Sequence, residues 1–395
     1  MTQPIKTDTW LVEGTTGFNS LHLRREVTIP ALGDHDCLVQ IQAVSLNYRD
    51  LIITKEFPTS SIPPTNPPYI RGLYPFPMTL PRVPCSDSAG IVLSTGPRVV
   101  HFRRGDRVCT LFNQTHQSNP ITRDSMSSGL GGTLDGTLRK YAVLPETGLV
   151  MAPSNLSPIA ASTLSCAPLT AWNALYGLTP LKPGDVVLTQ GTGGVSLAAI
   201  QFAVAAGAMV VATTSSEEKA LRLKKMGVQH VINYKTTPEW GEIARSYTRG
   251  GRGVDHVIEV GGPGTMAESL KAVRKEGIIT VIGFLGGTGG KGEKEPSILD
   301  PLVHICTVRG IFVGSRQQME DMVRAIQTNN IQPVVDEKVF TFENAKEAYQ
   351  YQWDQKHFGK MPMSMGRPFK PQRLPHPIFD ISSCLGFYYV HTIRS

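Results

Sequence analysis

Residues 186–208 read VVLTQ-GTGGVSLAAIQFAVAAGA. A short apolar run ends at Gln190, a glycine-rich loop follows, and an apolar stretch of helical character opens at once. The order of strand, glycine loop and helix is what gives a glycine motif weight. Gly191 permits a tight turn, and Gly193 and Gly194 let the backbone come close to a pyrophosphate. The helix that begins there, with Val195 in its first turn, offers free N–H groups and the positive end of its dipole. These four residues are candidate dinucleotide contacts. The loop departs from the spacing GxGxxG, because position 196 is Ser.

The pattern repeats downstream. VVATT (210–214), HVINY (230–234), VDHVIEVGG (254–262) and GIITVIGF (277–284) read as further strands. SSEEKALRLKKMG (215–227) reads as a helix, with Ser at its start, Glu in its first turn, Lys in its last and Gly227 as its stop. Strands alternating with helices at this spacing predict a parallel, doubly wound α/β domain over about 166–315. Residues 1–165 read instead as mainly β, with short runs such as CLVQIQAV (37–44) and AGIVLS (89–94) between Gly and Pro turns, as in barrel-like domains. Residues 316–365 are expected to return to that first domain. Two stretches fit neither pattern: FPTSSIPPTNPPYI (57–70) and the tail 366–395. Removing 57–70 would join ITKE closely to RGLYPFP, so this insertion is either a lid over a cleft or a sequence artefact such as a retained short intron. The tail reads as disordered or as a packed add-on, and the artefact reading extends to it.

The end of the second strand selects the dinucleotide. A site for NAD places Asp or Glu there to bind the ribose 2′-hydroxyl. Here Thr213, Thr214, Ser215 and Ser216 offer hydroxyls, and Lys219 follows one turn later. Hydroxyls and a lysine suit a 2′-phosphate, which a carboxylate would repel. NADPH is the expected cofactor. Glu217 and Glu218 weaken the positive field slightly and read as first-turn helix residues.

Composition excludes several classes. The chain has 395 residues, 41% hydrophobic and 18% charged, as expected for about two globular domains rather than a disordered chain. No run approaches 18 apolar residues, and the first residues lack the apolar core of a secretory signal, so neither membrane insertion nor export is expected. The net charge is +7, but residues 366–395 supply four basic residues against Asp380, which leaves +4 without long basic runs on the rest. No nucleic-acid partner is expected from that. Cysteines 37, 85, 109, 166, 306 and 384 form no CxxC pair and read as reduced thiols of a cytoplasmic protein.

Several segments together resemble the medium-chain dehydrogenase/reductase superfamily: SLNYRDL (45–51), GTLRKYAVLP (136–145), CAPLTAWNAL (166–175), the GTGGV loop, GVDHVIEVGG, VGSR (313–316) and HFGK (357–360). The resemblance spans roughly residues 8–363 and is nearest to the zinc-free, quinone-oxidoreductase-like branch. It implies a GroES-like β-barrel beside a Rossmann domain, an active site in the cleft between them, an NADPH hydride donor, a small-molecule substrate and a homodimer. By position it implies cofactor contacts from Thr170, Lys219, Tyr234, Phe284, Leu285, Gly314, Arg316 and Lys360.

Zinc-dependent members of that superfamily hold the metal with a Cys, a His and a second Cys. Here PCSDSAG (84–90) puts Ser86 at the His position, the first Cys is absent from SLNYRDL, and only Cys166 stands at a ligand-like place. One thiolate does not hold Zn²⁺, which takes about three protein ligands in a catalytic site; no metal is expected. Without a Lewis acid, reduction of an activated C=C bond or a quinone is easier than alcohol oxidation. Tyr48 is the candidate proton donor and Asn47 a candidate for orienting substrate or nicotinamide ribose. Arg49, Asp50 and Asp87 read as loop-bracing charges. Two alternatives stand beside this reading: a zinc-independent alcohol or aldehyde oxidoreductase, and a non-catalytic NADPH-binding protein.

Overall fold

A computed structural model describes residues 5–55, 78–283 and 297–366. The insertion 57–70, Phe284 and Leu285, and all of the tail after Gly366 lie outside the described residues.

The stretch 186–208 folds as its pattern predicts: strand Val186–Gln190, a turn, then helix Gly194–Ala205. That strand sits inside a six-stranded sheet whose spatial order is His230–Asn233, Met209–Thr214, Val186–Gln190, Val254–Glu259, Val273–Val281 and Thr307–Gly310. Every pairing in it is parallel. The order runs third, second, first, fourth, fifth, sixth along the chain, which is the arrangement of dinucleotide-binding doubly wound sheets. The central strands are continuous apolar runs because both faces are covered. Val187, Val210 and Ala212 point into one core with Leu197 and Phe202 of the glycine-loop helix. Val186, Leu188, Val211 and Val257 point into a second core with Trp240 and Leu270. The order in which strands are added reverses between the parallel neighbours Val186–Gln190 and Val254–Glu259, so a crevice opens at the carboxyl ends of these two strands, where the glycine loop lies.

The seven-stranded sheet of the first domain, the barrel expected there, is built around the long strand Asp36–Leu46. Its partners are antiparallel: Asp87–Thr95 along one edge, and Tyr141–Pro145 and then Met361–Ser364 along the other. Met361 stands opposite Leu46, so the last described strand delivers Lys360 beside Asn47, more than three hundred residues away in sequence.

Helix Arg316–Thr328 lies at the junction rather than wholly with the barrel. Its Met319, Met322, Val323 and Ile326 share one core with Leu169 and Leu175 of helix Ala167–Tyr176 and with Leu111 and Val150 of the barrel. The chain rejoins the barrel sheet only at Phe340–Thr341. Among the described residues no helix is long and apolar enough to cross a membrane.

Candidate active site between the two sheets

The glycine loop is shaped for a close-lying ligand. Gly191 has φ +71°, a left-handed conformation that costs a side chain, and its N–H is fixed on the Thr213 carbonyl at 2.8 Å. A Cβ placed on Gly191 or Gly193 would meet nothing within 4 Å, so these two residues line open space. Ser196, which breaks the expected glycine spacing, donates its hydroxyl to the Gln190 carbonyl at 2.6 Å and ties the helix to the strand it follows. Gly194 is different. A Cβ there would stand 2.7 Å from Lys360 Cδ and 3.1 Å from the Ala167 Cβ. Its small size serves packing between the domains.

At the next strand end, Thr214 is buried and its Oγ1 has no hydrogen-bond partner, an orphan that calls for a ligand group or water. Ser215 is half-buried beside it. The Ser216 hydroxyl accepts from the Lys219 N–H as the helix cap, so it is already engaged. The Lys219 ammonium forms no ion pair among the described residues. Glu217 is turned toward Asn233, whose Nδ2 donates to it at 3.3 Å. Tyr234 is 42% exposed, with its N–H on the Thr214 carbonyl. Burial holds the nearby His357 imidazole below its ordinary range, and the Lys219 and Lys360 charges push the same way against Asp336.

The crevice has a brace that sequence reading did not find. Glu259, fully buried at the end of its strand, accepts from Gln190 Nε2 at 2.7 Å, from the Gly261 and Gly262 N–H groups at 2.9 Å, and from the Ser269 and Thr265 hydroxyls. Gln190 Oε1 in turn accepts from the Val260 and Gly261 N–H groups. A buried carboxylate held by five donors fixes the loop across the strand reversal. The available signal was a polar residue closing each of two apolar runs.

The barrel side is a sealed charge cluster. Lys360 is 5% exposed, and its ammonium donates to the Leu46 carbonyl at 2.8 Å, Asn47 Oδ1 at 2.5 Å and Asp87 Oδ2 at 3.2 Å. Asp87 is fully buried and also accepts from the Ser86 hydroxyl at 2.7 Å and the Cys166 N–H at 3.3 Å. Asn47 gives its N–H to Asp50 at 2.8 Å and starts helix Tyr48–Thr54. Arg49 reaches Asp50 at 3.5 Å and the Leu130 carbonyl at 2.7 Å, and stacks 4.4 Å over the Phe112 ring. Burial pushes the Asp50 carboxyl up, and the Arg49 charge opposes that. Arg49, Asp50 and Asp87 thus brace the turn. Tyr48 alone of this group opens outward: it is 36% exposed, and its hydroxyl has no hydrogen-bond partner among the described residues. Partial burial raises its phenol above the ordinary value, so it stays protonated at neutral pH.

Four positions expected at the cofactor are engaged within the protein. Arg316 is held by Glu320 at 2.9 Å and the Glu146 carbonyl at 3.0 Å, and its guanidinium serves the junction between barrel and helix. Gly314 is a packing glycine, because a Cβ there would lie 2.9 Å from Leu169. Lys360 donates all three ammonium protons to the barrel. Thr170 is 5% exposed and turns its hydroxyl back onto the Cys166 carbonyl at 2.8 Å. At the ligand-like position, burial pushes the Cys166 thiol up to about 12. Among the described residues no three His, Cys, Asp or Glu side chains converge in a group able to hold a metal.

This architecture has known counterparts. A family model described as alcohol dehydrogenase GroES-like domain matches residues 33–154, and one described as zinc-binding dehydrogenase matches residues 194–328. A zinc-type alcohol dehydrogenase-like protein of Schizosaccharomyces pombe is 46% identical over 348 residues, which are 88% of this chain and 95% of that protein. The chain belongs to the medium-chain dehydrogenase/reductase superfamily. Another relative in the superfamily, a quinone oxidoreductase of Sus scrofa, is 25% identical over 338 residues, covering 84% of this chain and 89% of that protein. The solved structure of a putative alcohol dehydrogenase from Sinorhizobium meliloti superposes with a TM-score of 0.76 at 37% identity, over 92% of this chain and all of that one. As a member of this superfamily the chain is an oxidoreductase, and the superfamily uses nicotinamide cofactors.

Proposed function

We propose that this oxidoreductase prefers NADPH, works without zinc, and reduces an activated C=C bond or a quinone. The observation that carries the cofactor preference is the end of strand Met209–Thr214. An orphaned buried hydroxyl on Thr214 and an unpaired ammonium on Lys219 stand there without a carboxylate at the strand end itself. That donor set fits a 2′-phosphate. The open floor at Gly191 and Gly193 fits a pyrophosphate.

When bound, the nicotinamide supplies a hydride. The chain's own residues do the rest. The glycine loop and the Glu259 brace fix the crevice floor. Tyr48 donates a hydrogen bond to the substrate oxygen where negative charge gathers, and gives the proton that balances the hydride. Ser86 and Cys166 support the zinc-independent reading. The hydroxyl of Ser86 is bound to Asp87, and among the described residues no three potential metal ligands converge. The relatives named alcohol dehydrogenase favour one second reading, oxidation of an alcohol without zinc.

Titration of the purified protein, followed by nicotinamide fluorescence, tests the cofactor. NADPH binds at least about tenfold tighter than NADH, and Lys219→Ala and Thr214→Asp each remove that preference. Equal affinities overturn the NADPH reading. Turnover of NADPH with enones or quinones in the presence of a chelator supports the reductase. Activity confined to a secondary alcohol under the same conditions selects the second reading.

A further inference from the structure

The segment His357–Lys360 runs along the crevice and touches it at three successive places. Phe358 lies under the Arg222 guanidinium at 3.7 Å, on the same helix as Lys219. The Gly359 N–H faces the Thr192 carbonyl of the glycine loop at 3.4 Å. Gly359 has φ +87°, and a Cβ there would stand 2.4 Å from the Val334 carbonyl, so only glycine lets the strap lie this close. Lys360 then crosses from one domain to the other. Its methylenes cover Gly194 at the start of the glycine-loop helix, and its ammonium enters the barrel.

An ammonium has three N–H groups and no acceptor. Here all three meet barrel acceptors: Leu46 O, Asn47 Oδ1 and the buried Asp87 carboxylate. None is left for a phosphate, and the group is sealed from solvent. We propose that Lys360 is a positioning residue that clamps the Asn47–Tyr48 turn of the barrel to the start of the glycine-loop helix, and that it is not a ligand of the dinucleotide phosphates. The proposal rests on the reading of the site given above. It adds a division of labour: Lys219 recognises the cofactor, while Lys360 holds the proton donor at a fixed place relative to it. Gly194 belongs to the same device, because the stem of Lys360 occupies the space a side chain would need.

The test uses the full chain with Lys360→Met, which keeps the stem and removes the charge. A second variant, Lys360→Met with Asp87→Asn, avoids an uncompensated buried carboxylate and keeps the test valid if the single variant does not fold. Two readouts are taken. In the first, NADPH affinity stays within about threefold of the unmodified protein, while kcat with the accepted enone or quinone falls by about 10²-fold, as expected for misplacement of a reacting group by about 1 Å. In the second, amide hydrogen exchange of the cofactor-free protein accelerates over residues 47–54. A loss of NADPH affinity of tenfold or more overturns the proposal by making Lys360 a phosphate ligand. Unchanged exchange over 47–54 overturns it by removing the clamp. If the unmodified protein binds neither NADPH nor NADH, the proposed function fails, and the exchange readout alone still decides the clamp.

Discussion

At the glycine loop, Gly191 and Gly193 face open space, and among the described residues Thr214 keeps an unpartnered hydroxyl and Lys219 an unpaired charge. On the barrel side, Lys360, Asp87 and Asn47 are buried, and the ammonium of Lys360 has no proton left to give. One end of the crevice keeps open donors, and the other is satisfied within the protein except at Asn47 Nδ2, a buried donor without a partner among the described residues. The contrast separates binding from placement. Groups that must grip an incoming molecule are left unsatisfied, because hydrogen bonds already made within the protein would have to be broken first. Groups that must hold a geometry are satisfied in advance, because a buried charge without partners would move or unfold the turn it supports.

The contrast is broken most forcefully at Asp87. Replacement by Ala leaves the Lys360 ammonium buried without a counter-charge, and stability falls by about 3–5 kcal/mol, read as a lower midpoint in urea unfolding. A change below about 1 kcal/mol would mean the cluster is wetter than its burial implies. The next effect is at Tyr48. Its phenol is protonated below its raised pKa and loses the proton as pH rises through that value, so donor capacity is present across neutral pH and is lost only in the alkaline range. Tyr48→Phe therefore lowers kcat by about 10²-fold at neutral pH, and the alkaline limb of the rate profile vanishes with it. A limb that survives in the Phe variant assigns proton donation elsewhere. The smallest effect is at the open end: Ser216→Ala removes the cap of helix Glu217–Lys225 and costs about 1 kcal/mol. Because Lys219 rides on that first turn, NADPH affinity falls a few-fold while NADH affinity is unchanged. Equal loss for both nucleotides would move the phosphate site away from Lys219.

Legibility in the sequence followed the same division. The Rossmann sheet could be read because local order carries it: each strand is a short apolar run, each helix follows its strand, and Gly191 marks the turn at the point of reversal. The hydroxyls and lysine at 213–219 lie within seven residues and declare their chemistry without help from the rest of the chain. The bracing role of Asp87 was legible in the sequence, but its partner Lys360 was not. Lys360 and Arg316 are both expected as cofactor contacts from their positions in HFGK and VGSR, segments that resemble the superfamily. Their actual partners, Asp87 and Glu320 with the Glu146 carbonyl, follow from how helices and strands distant in sequence come together. Glu259 stands unmarked inside the run VDHVIEVGG, and only the fold gathers five donors around it.

The sequence by itself determined the two kinds of domain, the glycine loop and the chemistry offered to a phosphorylated dinucleotide, because these depend on residues near one another along the chain. Only the tertiary structure decided which charges are free. A lysine donates to whatever acceptor the fold brings within about 3 Å. For Lys360 that depends on the pairing of Met361 with Leu46 across the barrel, a contact that no local pattern encodes.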